Sequence, residues 1–208
     1  MRGIKKLHAR YPIRRIRDAG VPGTTITSSE YLDYMDLRRR VQSSVIDPQT
    51  RQSVGTITVR WMNSHYDDLS GVNDQSIVMK VENGSSSALL AGDTSFRPWK
   101  EKIVPFYANT RPSSSILLAS HHGSLTFYDD PADDKHYYTM HMQKIRPAMT
   151  VISVGPNVHG LPDAKAVELY EKYSSGSSKG NKVFRTDREG NIRLVLRPDR
   201  PWTIYPNQ

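Results

Sequence analysis

The chain has no cysteine. Disulfides and thiolate-held zinc are therefore excluded, and any metal must be ligated by His, Asp or Glu. The same absence fits a cytoplasmic protein, which is the expected location. Long apolar runs are missing too. The longest, Ser115 to Ala119 and Met149 to Val154, fall far below the roughly 20 residues that cross a bilayer, so no membrane segment is expected. The basic N-terminus lacks an apolar h-region, and no secretory signal is read there. No internal repeat divides the chain.

What is present suffices for one core. At 208 residues, 37% hydrophobic and 24% charged, the chain is expected to form a single domain over 1–208. Its formal net charge is +8, and Arg2, Lys5, Lys6, Arg10, Arg14, Arg15 and Arg17 all precede the first acid, Asp18. Such a field attracts a polyanion. Lys5, Lys6, Arg10, Arg14 and Arg15 are thus candidate nucleic-acid contacts, with DNA or RNA as partner. A plainer reading competes: Ile4, Leu7 and Tyr11 recur at i, i+3 and i+7, the spacing of a helix that buries one stripe and turns its charges to water.

Local patterns place the elements. Arg2 to Tyr11 reads as a helix stopped by Pro12, followed by extended Ile13 to Ile16 and a turn over Ala19 to Gly23. Ser28 and Ser29 are caps for a helix over Tyr31 to Val41. Thr56 to Met62 alternates with period two and is β-branched, hence a strand. Ser76 to Glu82 and Ser87 to Ala91 flank Asn83-Gly84, a hairpin signal, because Asn-Gly readily takes the positive φ such turns need. Ile116 to Ala119 is a short buried strand running into Ser120-His121-His122-Gly123-Ser124, and chemistry tends to sit at such strand ends. Met149 to Val154 is another strand, and Pro162 to Tyr173 a helix opened by its proline. Ser174 to Gly180 reads as a flexible loop. Lys182 to Thr186 and Asn191 to Leu196 read as a terminal hairpin across Asp187 to Gly190. Mixed strands and helices make the class α/β.

Four segments in order, NDQSIVMKVENGSSSALLAGD, SHHGS, ISVGPNVHGLPD and VFRTDREGNIRLVL, resemble the second half of a metallo-β-lactamase fold of the ComEC type, over about residues 55–197. The resemblance implies a partial αβ/βα sandwich: the second half of the fold with part of the first. Residues 1–54 would be a basic helix and connecting region, 55–197 the core and 198–208 a C-terminal tail. By the same resemblance Asp93 is the carboxylate that bridges two metals, and His121 or His122 is a ligand in the histidine loop. Asp93 and His122 are the expected catalytic pair, and Ser124, Asn157, His159 and Arg185 the expected substrate contacts. Asn73 stands where many relatives place another histidine, and Leu161 where the pattern expects one. The defining His-x-His-x-Asp-His motif is not present. Either the chain begins at an internal methionine of a longer gene, or it represents a lineage that lost its first sheet.

Three functions follow from the resemblance. One is a zinc- or manganese-dependent hydrolase of nucleic-acid phosphodiesters. The second is a non-catalytic nucleic-acid binder, metal-free or completed by a partner chain or a second copy covering the missing half. The third is a hydrolase of β-lactams or other small esters or amides.

Overall fold

A computed structural model describes residues 3–20, 26–47, 51–62, 71–107, 112–129, 137–176 and 180–207. Arg2, His65, the Val21 to Gly23 part of the expected turn and residues 177–179 of the expected loop lie outside that set. The first unit is α1 (Ile4–Arg10), β1 (Arg15–Asp18), α2 (Ser29–Arg40) and β2 (Gln42–Val45), with β1 and β2 paired in parallel. Ser28 caps α2 as its type favours, its hydroxyl accepting the Tyr31 N–H at 3.2 Å. The expected burial of the α1 apolar stripe does not occur. Leu7 is 52% and Tyr11 59% exposed, because α1 meets α2 by its other side, where Lys5 reaches Asp33 at 3.3 Å.

The remaining strands build one seven-stranded sheet: β3 (Arg51–Val54), β4 (Ile57–Trp61), β5 (Met79–Asn83), β6 (Ser86–Leu90), β7 (Ile116–Leu118), β8 (Met149–Ile152) and β9 (Val183–Arg185), in that spatial order. Its first four strands pair antiparallel and β6 to β9 pair parallel. This is the mixed sheet of the expected α/β class. A helical run follows β6: α3 (Phe96–Pro98), a π-helical turn (Trp99–Ile103) and α4 (Val104–Phe106). Helix α5 (Met140–Ile145) precedes β8, and α6 (Ala164–Tyr173) lies between β8 and β9.

Successive residues of a strand point to opposite faces, and both faces here are buried. Leu89, Leu117 and Ile152 join Trp99, Ile103, Met142, Ile145, Leu169 and Tyr170 in the main core under the helices. Ala88, Ile116, Met149, Val151 and Phe184 make a second core on the other side. That second core is roofed by Ile192, Leu194, Leu196, Trp202 and Ile204, which come from the C-terminal hairpin.

Three local expectations are corrected. The β5–β6 turn is centred one residue later than expected, since Asn83 pairs with Ser86 and Gly84 takes φ +59 in contact with Pro198. Asn83 instead donates to the Leu196 carbonyl at 2.9 Å. Helix α6 begins after Asp163 rather than at Pro162. The terminal hairpin pairs differently: 182–186 does not fold onto 191–196. A helical turn, α7 (Thr186–Glu189), redirects the chain, β9 extends the sheet beside β8, and β10 (Arg193–Val195) pairs with β11 (Thr203–Tyr205). The segment read as a tail thus contributes a strand, because Trp202 and Ile204 have an apolar sheet face to cover.

Candidate functional site

The candidate residues gather where parallel strands end. After β6 the chain turns at Gly92, whose φ is +62 and where a Cβ would sit 2.8 Å from that of Ser76. Only glycine permits this approach. It brings Asp93 beside the turn Asn73–Gln75, and the Asp93 N–H donates to the Ser76 hydroxyl at 3.2 Å.

The neighbouring β7 leads into the histidine loop. Ser120 is fully buried, and its hydroxyl lies 2.6 Å from the Thr94 carbonyl and 3.1 Å from that of Gly92. The His121 N–H donates to the same Gly92 carbonyl at 3.0 Å. Anchored so, the backbone runs left-handed through three residues, His121 at φ 46, His122 at φ 55 and Gly123 at φ 84. For an L-residue with a Cβ this costs about 1–2 kcal/mol each. The loop persists because its far side is also stitched down. The Asp163 N–H donates to the Gly123 carbonyl at 3.0 Å, and the Asp163 carboxylate accepts from the Leu125 N–H at 2.6 Å.

The strained turn separates the two imidazoles, whose centroids are 6.4 Å apart with planes at 61°. His121 lines a cleft of about 260 Å³ with Gly71, Val72, Asn73, Asp74, Asp93, Ser95 and Thr126. His122 turns away and lies exposed, its Nδ1 2.7 Å from the Ser153 carbonyl. A carbonyl only accepts, so Nδ1 donates its proton to it. Asp93 and His121 are therefore brought together, while His122 stands on the adjoining rim.

The other expected contacts have structural partners. Ser124 caps the next turn by accepting the Thr126 N–H at 3.3 Å. Asn157 pins its own loop, donating to Gly155 and Leu161 carbonyls at 2.9 Å each and accepting N–H groups of His159 and Leu161. Arg185 forms a two-pronged pair with Asp187 at 3.0 and 2.6 Å, which occupies the fork it would offer to phosphate. His159 is exposed on the loop. Leu161 packs against the main core. Asp74 is the cleft residue that pattern reading passed over. It is 8% exposed and accepts the Ser95 N–H at 2.9 Å; its position next to Asn73 in the first resemblance segment was the available signal.

Among the described residues no group of three or more His, Asp or Glu side chains is arranged to hold a metal ion. Zinc ordinarily takes about four ligands. Asp93 and His121 offer one carboxylate and one imidazole, about half of that set.

Similarity to curated proteins supports a ComEC-like relationship. Among curated proteins the chain is similar to ComE operon protein 3 of Bacillus subtilis, 24% identical over 141 residues. It is also similar to Recombination protein 2 of Haemophilus influenzae, 27% identical over 148 residues. In both cases the similarity takes in 67% of this chain and 16% of the relative, so the chain spans about a sixth of their length. No family model matches. Of solved structures, a CmlA beta-hydroxylase mutant is similar at 13% identity and a TM-score of 0.47, covering 86% of this chain and 39% of that one. Among the described residues no helix is long and apolar enough to cross a membrane.

Proposed function

We propose that this chain is a ComEC-type, metallo-β-lactamase-like domain that binds nucleic acid and is catalytically incomplete in its described residues. The observation that carries the reading is the meeting of Asp93 and His121 in one cleft without, among the described residues, a third His, Asp or Glu arranged to share an ion. Metal-assisted hydrolysis of phosphodiesters needs ions fixed by several donors in register, and a carboxylate with one imidazole is about half of such a set. The excess of basic over acidic residues, 29 against 21, supports a polyanionic partner.

The test is elemental analysis of the purified chain after exposure to zinc and to manganese, alongside nuclease assays on DNA and RNA with each metal. Substoichiometric metal and no metal-dependent turnover are expected. Tight stoichiometric metal, with turnover abolished by Asp93→Ala, would overturn the reading and call for further ligands such as His159 or Asp163.

A further inference from the structure

The positive charge is not spread evenly. Residues 1–54 hold eleven basic and five acidic side chains, a surplus of six out of the net +8 for all 208 residues. The acids there are also largely spoken for. Asp18 pairs with Arg38, Asp33 with Lys5 and Asp36 with Arg40. Lys6, Arg10, Arg14 and Arg39 are exposed, and among the described residues none of them is paired with a carboxylate. Lys5, an expected nucleic-acid contact, is therefore partly neutralised, and Arg39 joins the exposed set.

On α1 Lys6 and Arg10 meet an apolar row. Lys6 and Arg10 lie four residues apart and stack on one helix face; Tyr11, extended just past the helix end, is tied to Leu7 by donating its N–H to the Leu7 carbonyl at 2.8 Å. The two rows are adjacent, since successive helical residues differ by about a quarter turn. The result is a ridge with cations along one side and Leu7 (52% exposed) and Tyr11 (59% exposed) along the other. The Arg10 guanidinium lies 5.4 Å from the Tyr11 ring centroid, which fixes the ring beside the charge.

We propose that this ridge grips single-stranded nucleic acid, with Lys6 and Arg10 on phosphates and Tyr11 stacked on a base. The inference rests on the reading that the partner is nucleic acid. Cations alone hold a duplex as readily as a single strand. An exposed aromatic ring beside them adds a surface that only an unpaired base can cover. Basic and apolar side chains together also suit an anionic lipid surface. Leu7 on a helix of seven residues and Tyr11 just past its end offer little apolar area to insert into a bilayer, which favours a strand.

The experiment is fluorescence anisotropy on the full chain with an oligothymidylate of about 20 nucleotides, a duplex of the same length, and vesicles containing phosphatidylserine. Tyr11→Ala is expected to weaken single-strand binding about 5-fold or more. Tyr11→Phe should bind like the parent, and duplex affinity should change less than about 2-fold in either variant. Replacing Lys6 and Arg10 by Ala should flatten the slope of log affinity against log salt by about 1.4, or roughly 0.7 per lost phosphate contact. All three side chains are exposed, so circular dichroism should show an unchanged fold. Equal losses on strand and duplex would overturn the stacking role. Strand binding untouched by any of these variants would overturn the ridge while leaving the proposed function standing. Absence of nucleic-acid binding in the parent would remove that function itself, and Tyr11-dependent vesicle binding would reassign the ridge to lipid.

Discussion

The unit at residues 3–47 and the sheet from β5 to β9 are built on different physics. In the first, the buried apolar side chains are Ile16, Leu37 and Ile46, and the organising group is a carboxylate. Asp18 accepts hydrogen bonds from Tyr34, from Arg38 at 2.6 Å and from the Gly20 N–H at 3.0 Å. In the second, Leu89, Leu117, Trp99, Phe127, Met142, Ile145 and Ile152 are all sealed from water in one cluster. Burial of that kind dominates stability, whereas part-exposed ion pairs contribute little. The contrast teaches that the candidate cleft rests on the densely packed region and the charged ridge on the one with few buried apolar side chains.

The largest expected effect tests the packing side of this contrast. Trp99→Ala removes a fully buried ring whose Nε1 donates to Thr94 at 3.0 Å, and should cost about 3–5 kcal/mol in urea unfolding. Leu37→Ala, in the thinner unit, should cost about 2 kcal/mol. Equal losses would erase the distinction between the two regions.

A pH titration of stability comes next. His141 is fully buried among Trp99, Phe127, Tyr128 and Tyr138. Burial pushes its pKa down to about 3 from an ordinary 6.5. Below the ordinary value the unfolded chain takes up a proton that the folded chain refuses. Stability is therefore whole above about pH 6.5 and falls towards pH 3, by roughly 1.4 kcal/mol per pH unit. Urea midpoints measured between about pH 6 and pH 4 should show this slope, and His141→Phe should flatten it. A slope unchanged in that variant would place the acid sensitivity elsewhere.

The smallest effect belongs to the charged unit. Burial raises the Asp18 pKa, but hydrogen bonds from Arg38 and Tyr34 outweigh it and hold the carboxyl below its usual 3.8. Its stabilisation is thus present above about pH 4 and lost as pH falls through the lowered value. Asp18→Asn should cost about 1 kcal/mol, read as faster amide exchange in α2 with the sheet unaffected. Slower or unchanged exchange in α2 would show that Asp18 does not organise the unit.

Much of the fold was legible in short patterns. Ser28 caps α2, the alternation of 56–62 gives β4, and the Asn83-Gly84 signal marks a real hairpin although its turn sits one residue on. The C-terminal pairing was not legible. Two short runs separated by Asp187 to Gly190 satisfy the hairpin pattern, yet Thr186 clamps the end of β8, its hydroxyl accepting the Val154 N–H at 2.7 Å, and the chain turns away. Of the candidate site, Asp93 and His121 were found by motif, whereas Asp74 was not singled out, because nothing in its near neighbours along the chain shows that it will face the cleft.

The sequence by itself determined the absence of thiol chemistry, the positions of most strands and helices, and the crowding of positive charge at the start. These depend on composition or on near neighbours along the chain. Only the tertiary structure decided that His121 enters the cleft while His122 leaves it, that Arg185 is occupied by Asp187, and that Leu7 and Tyr11 face water. The physical reason is reach. The direction of the histidine turn is set where Ser120 meets the Gly92 carbonyl, 28 positions away in the chain, and such contacts exist only once the strands lie side by side.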